Sequence, residues 1–169
     1  MLRHNKKKQL IIMRGYIMKV YLIRHGHAKS SEEDPKRPLS DFGLVKIKKM
    51  SISALKMGLN VKEIWHSKKL RAKETATILA NSFIIGIELK ELKGLAPNDD
   101  VRPMANQLME RDEDIAIVGH LPFLNKLASL LLCGSEDVNI INFNPGMIIC
   151  LNKGAANNWS IEWGITNQY

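Results

Sequence analysis

Two rhythms of apolar residues alternate along this chain. Val20, Tyr21, Leu22 and Ile23 form an unbroken apolar run, the pattern of a strand buried on both faces. A polar stretch at 30–43 follows, punctuated by Pro35 and Pro38, and reads as a loop. Ser40 or Asp41 stands where a helix N-cap belongs, ahead of Leu44, Ile47, Ala54 and Leu55, with Gly58 as the stop. Residues 61–67 read as a second short strand. Residues 68–83 read as a helix with Leu70, Ala76 and Leu79 on one side.

The alternation continues to the end. A strand is expected within 84–92, then a loop with Pro97 and an Asp99 or Asp100 cap. A helix follows over 101–111, on Val101, Met104, Ala105, Leu108 and Met109. Residues 114–120 predict another buried strand, passing directly into a helix over 121–134. Residues 146–152 and 158–164 predict two last strands joined by a Gly/Asn-rich turn. Strands alternating with helices predict an α/β three-layer sandwich with a largely parallel central sheet. No repeat or low-complexity segment interrupts it, and 169 residues suit one domain.

Charge changes the picture at one end only. The net charge of +8 draws on Arg3, Lys6, Lys7, Lys8 and Arg14, all within residues 1–17, which hold no acid. Without those five, 20 basic residues face 17 acidic ones, a balance of +3. A nucleic-acid-binding body is therefore not expected. Residues 1–17 are expected to be a disordered basic extension, with the single folded domain at 18–169. The apolar stretch of the extension is shorter than the roughly 7–15 residues of a signal-peptide core. No apolar run approaches the ~20 residues of a membrane span. Cys133 and Cys150 are too far apart for a CxxC pair, which fits a reduced cytoplasm. The histidines lack metal-ligand spacing, so neither a metal nor another cofactor is expected.

Ligands of open α/β sheets sit beyond the carboxyl ends of the strands, and three strands end unusually there. The first ends in Arg24, His25 and Gly26. The second leads to Arg71 at a helix start, and a late strand ends at His120. Taken singly, each has an ordinary explanation: a strand-end histidine is most often structural, as His66 and His4 are expected to be, and a helix-face arginine is most often solvated. Together they suit phosphoryl transfer. A neutral imidazole can attack phosphorus, arginines grip phosphoryl oxygens through paired hydrogen bonds, and helix N-termini supply N–H donors. Arginine and a histidinium would provide the charge neutralisation that a metal ion provides elsewhere.

The order "LIRHG", "HSKKLRAKETA", "IAIVGHLP" resembles the signature of the histidine phosphatase superfamily, and the resemblance spans residues 18 to about 165. It implies a phosphoglycerate mutase-like fold, His25 as the nucleophile, and Arg24, Arg71 and His120 as phosphoryl-binding residues. The short chain, "KRPLSDFG" and "GHLP" resemble the SixA-type phosphohistidine phosphatases. That implies Arg37 as a further contact and a phosphohistidine-bearing protein, such as a phosphotransfer domain, as the substrate. Gly26 is expected to let the backbone turn close to a bound anion. His27 is expected at the rim, and the protein is expected to be monomeric.

Larger relatives carry a carboxylic acid after a middle strand. Here Glu88, Glu91, Asp99 and Asp100 are candidates, and none sits in a motif that singles it out. A phosphohistidine leaves as imidazole, which protonates near neutral pH and needs less acid assistance than an alkoxide. Two alternatives stand beside this expectation: a phosphatase of small phosphomonoesters such as sugar phosphates, and a binding module that captures phosphohistidine without turnover.

Overall fold

The structure, a computed structural model, describes residues 15–84 and 86–166. Of the expected extension over 1–17, residues 1–14 lie outside the described residues, as does His4. The described chain runs β1 (Met18–Arg24), α1 (Asp41–Lys56), β2 (Glu63–His66), α2 (Leu70–Ala80), β3 (Glu88–Glu91), α3 (Arg102–Glu110), β4 (Ile115–Gly119), α4 (Phe123–Cys133), β5 (Ile148–Lys153) and β6 (Trp159–Ile165).

All six strands join one sheet in the order β3-β2-β4-β1-β5-β6. β1, β2, β3 and β4 run parallel, and β5 pairs antiparallel with both β1 and β6. The burial follows from the order. Central β2 and β4 are buried throughout, whereas edge strand β3, Glu-Leu-Lys-Glu, is mostly exposed.

The pleat of β1 sorts the core into two. Val20 and Leu22 point to one face and pack in a cluster with Met104, Leu108, Phe123 and Leu127 of α3 and α4. Tyr21 and Ile23 point to the other and pack with Met50 and Ala54 of α1 and Ala72, Ala76 and Leu79 of α2. The expected three-layer sandwich is the result.

Two local expectations shift. On α2 the buried stripe runs through Ala72, Ala76 and Leu79 with Arg71 and Thr75 beside it, while Leu70 is only half-buried. Setting the stripe on Ala72 rotates Arg71 inward, to 9% exposure. On α3 neither aspartate is the cap residue itself. Asp100 Oδ1 accepts from the Arg102 N–H at 3.0 Å, and Asp99 Oδ2 accepts from the Ala96 N–H at 2.7 Å within the preceding loop. Ser40 does cap α1, accepting from the Gly43 N–H at 3.1 Å.

A lysine locks α3 to the sheet. Lys153 of β5 is 2% exposed, and its ammonium donates to the carbonyls of Leu108 at 3.0 Å, Met109 at 2.8 Å and Arg111. These are carbonyls at the C-terminal end of α3, where a cation is favourably placed, and that of Leu108 also accepts from the Arg111 N–H at 3.4 Å. Lys153→Met preserves the side chain's bulk but strips those carbonyls of a charged donor. It should lower stability by about 2 kcal/mol, read as a fall in the denaturant midpoint at unchanged slope.

Candidate active site

β1 and β4 lie side by side in parallel register, Arg24 opposite Gly119, so their carboxyl ends finish together. The His25 N–H continues the ladder by donating to the Gly119 carbonyl at 3.1 Å. His25 and His120 thereby become neighbours, with ring centroids 4.9 Å apart. β2 ends beside β4, and α2 begins four residues later with Arg71 on its first turn. Arg71 Nε lies 3.2 Å from His25 Nε2.

The hydrogen bonds of His25 assign its tautomer. Nδ1 sits 2.7 Å from the Gly26 carbonyl, which can only accept, so Nδ1 carries the proton. Nε2 keeps its lone pair and receives the Arg71 N–H. Burial, opposed by the Gly26 bond and then reinforced by the charges of Arg71, Arg24 and Arg37, lowers the His25 pKa to about 4. His120 is lowered to about 3, first by burial, then by competition with His25 for a proton and by the charges of Arg71, Lys69 and Arg24. At neutral pH both imidazoles are uncharged. The positive charge here belongs to the arginines, in place of the expected histidinium.

Arg24 donates to the Phe143 carbonyl at 2.6 Å, which ties its guanidinium to the segment before β5. Arg37 reaches the site from the long loop. Its Nε donates to the Lys29 carbonyl at 3.2 Å, and its charge acts on both His25 and Arg71. Its backbone has φ 49°, a left-handed conformation uncommon for a residue with a side chain and a local strain held by its surroundings. Two loop anchors supply that hold: the Arg37 N–H to the Asp34 carbonyl at 2.8 Å, and the Leu39 N–H to Glu74 Oε2 at 2.6 Å. Arg37 and Arg71 line one cavity of about 560 Å³ together with Lys36, Lys68 and Lys69.

Gly26 is also required by packing. A Cβ there would lie 2.6 Å from Ile47 Cγ1 and 3.1 Å from Leu39 Cδ2, so the glycine lets the loop press onto α1. Its N–H donates to Thr75 Oγ1 at 3.1 Å. His27 is exposed at the rim, with Nδ1 2.8 Å from Ser40 Oγ and its ring edge-on to Phe42. His66 is buried with Nδ1 2.9 Å from the Ser67 carbonyl, the structural role expected of it.

Two contributors escaped the sequence reading. Ser67 Oγ is 2.5 Å from His120 Nε2, while His120 Nδ1 is buried with no hydrogen-bond partner among the described residues. Thr75 bridges Gly26 to α2, its hydroxyl also donating to the Arg71 carbonyl at 2.7 Å. Both lie inside "HSKKLRAKETA", so the signal was the motif itself, read for its arginine alone. Of the candidate acids, Glu88 pairs with Lys90 at 3.5 Å, and Asp99 and Asp100 serve backbone N–H groups. Glu91 lines a second cavity of about 560 Å³, which Ser67, Lys68 and Lys69 also line.

This architecture has known counterparts. The structure of the protein histidine phosphatase SixA complexed with tungstate superposes with a TM-score of 0.78 at 22% identity, covering 88% of this chain and 97% of that one. A phosphoserine phosphatase from Entamoeba histolytica matches with a TM-score of 0.65 at 16% identity over 89% of this chain and 98% of its own. A mycobacterial glucosyl-3-phosphoglycerate phosphatase gives 0.63 at 14% identity, over 85% and 96%. The chain has the phosphoglycerate mutase-like fold of these neighbours. No family model matches the sequence. An uncharacterized protein of Picosynechococcus sp. strain PCC 7002 is 33% identical over 147 residues, 82% of this chain and 87% of that protein, and the chain belongs to one family with it. Among the described residues no helix is long and apolar enough to cross a membrane.

The lowered histidines make stability depend on pH with a definite sign. Folded values near 4 and 3 lie below the ordinary value of about 6.5 that an unfolded chain restores, so the unfolded chain binds more protons between those limits. Stability is fully present above about pH 6.5 and declines as pH falls through about 4. Denaturant midpoints measured across that window should fall with acidification, and the fall should be shallower in His25→Gln.

Proposed function

We propose that the protein is a phosphatase working through a phospho-His25 intermediate, and that its substrate is phosphohistidine on a protein. One observation carries the chemistry: His25 Nε2 is an unprotonated, uncharged nitrogen flanked by His120 and Arg71. Its lone pair attacks the phosphorus while Arg71, Arg24 and Arg37 hold the phosphoryl oxygens. The bond from phosphorus to the substrate's imidazole nitrogen breaks, and that nitrogen leaves with the electron pair and takes a proton from solvent. Water then attacks the phosphorus of phospho-His25 and passes a proton to solvent. The P–N bond breaks, and inorganic phosphate and neutral His25 are restored. Charge on the transferring group is balanced by guanidinium groups preorganised before it arrives.

For the substrate, the SixA likeness and the leaving group's own basicity support phosphohistidine. The placement of Glu91 favours a second reading. It lines the cavity that reaches Ser67, beside His120, where an acid could serve an alkoxide leaving group, as hydrolysis of a small phosphomonoester requires. Phosphate release from a phosphohistidine-bearing phosphotransfer domain, compared with p-nitrophenyl phosphate and a panel of sugar phosphates, separates the two. Preference for the domain is expected. A sugar phosphate turned over faster, with loss of that activity in Glu91→Gln, overturns the protein substrate.

His25→Ala should remove activity on every substrate, by roughly 10⁴-fold or more, and Arg71→Ala should lower it roughly 10²–10³-fold. EDTA should leave the rate unchanged. Activity that survives His25→Ala and disappears in EDTA overturns the mechanism. In the wild type kcat/KM should hold level from neutrality downward and drop below about pH 4, where His25 becomes protonated.

A further inference from the structure

We infer that the basic rim of this site is a docking face for a protein that presents its phosphoryl group among carboxylates, an inference that rests on the phosphohistidine reading. Two cavities open at this edge of the sheet. Lys36 and Arg37 stand at one, Glu91 and Lys93 at the other, and both are lined by Lys68 and Lys69 at the start of α2. A ligand that touches Lys36 and Lys93 together spans both cavities. It is therefore larger than a phosphoryl group with one small leaving group.

The charges of this rim are gathered around two cavities that share Lys68 and Lys69. Several cations elsewhere are matched: Lys19 with Glu162, Lys90 and Arg111 with Glu63, Lys126 with Glu136. Among the described residues no ion pair within 4 Å engages Lys36, Arg37, Lys68, Lys69 or Lys93. Nearby acids are turned to other work. Glu33 accepts from the Ser30 N–H at 2.8 Å, Asp34 from the Lys36 N–H at 2.9 Å, and Asp99 from the Ala96 N–H. Glu91 and Asp99 are the carboxylates that line the second cavity, and Asp99 is engaged with the Ala96 N–H.

Outside its first 17 residues the chain carries an excess of only +3, so the positive rim is a local feature and not the mean of a basic protein. Unmatched cations around a concave mouth steer an anionic partner and fix its approach. The catalytic arginines need only the phosphoryl group. The outer lysines need further anions, and aspartate or glutamate side chains flanking a phosphohistidine supply them at the right range.

The test uses the full chain and two synthetic phosphohistidine peptides, one flanked by aspartates and one by serines, with p-nitrophenyl phosphate alongside. At low salt the aspartate-flanked peptide should show a kcat/KM about tenfold higher, and the preference should fade as added salt shortens the screening length to about 3 Å. The double variant Lys36→Glu, Lys93→Glu should abolish the preference and leave p-nitrophenyl phosphate hydrolysis within about twofold of wild type. That small ester also reports that the variant is folded. Equal rates on the two peptides in the wild type overturn the docking face and leave the phosphohistidine reading standing. An equal loss on peptide and small ester in the variant also overturns it, since the lysines would then serve the phosphoryl group. Hydrolysis of the small ester with neither peptide cleaved overturns both.

Discussion

Parallel pairing of β1 with β4 is the constraint on which the site depends. These strands are far apart in sequence, yet their register sets Arg24 against Gly119 and lets the His25 N–H bond to the Gly119 carbonyl. Parallel strands end on the same side of a sheet, so whatever follows each strand meets there. Two imidazoles are brought together by backbone geometry before either side chain contributes. Slipping the register by one residue would also turn Val20 and Leu22 away from α3 and α4 and bring Tyr21 and Ile23 towards them. The two cores therefore guard the alignment of the two histidines.

The loop after β1 is held as firmly as the strand. The Ser40 N–H donates to the His27 carbonyl at 3.0 Å, and a Cβ at Gly43 would sit 2.1 Å from that carbonyl oxygen, so α1 rests directly on the loop's backbone. Gly26 makes the corresponding approach from the other side, toward Ile47 and Leu39. Thr75 joins the loop to α2 through one hydroxyl. The glycines at 26 and 43 are thus close-approach residues. They hold His25 in place so that its Nδ1 can keep the Gly26 carbonyl and its Nε2 can face Arg71.

The electrostatics follow from the same crowding. Burial at this edge, and then the cations packed beside them, keep the imidazoles neutral, because protonation would put charge where water is excluded and charge is already dense. A neutral His25 is a nucleophile and an imidazolium is not. In the proposed reaction, arriving phosphoryl oxygens would bring negative charge for the arginines to meet. On that reading, the cost of assembling like charges in the free protein is coupled to ligand binding.

The sequence by itself determined the element order, the α/β class and most residues of the edge, because apolar periodicity, strand-end placement and the three quoted motifs are local signals. Arg24, His25, Arg71 and His120 were all legible in this way. Tertiary structure decided the rest. Leu70 looked like part of the apolar side of α2, but docking on the sheet chose the Ala72 stripe and turned Arg71 inward. Ser67 was spelled out beside Arg71, yet its contact with His120 spans 53 residues, and no spacing rule reaches that far. Gly26 could be picked out, but Ile47, which excludes a side chain there, lies on a helix 21 positions away. The neutrality of His120 needed burial and neighbouring charges together. Local pattern specifies which elements form. Contacts between distant residues, made only when those elements pack, specify how the side chains behave.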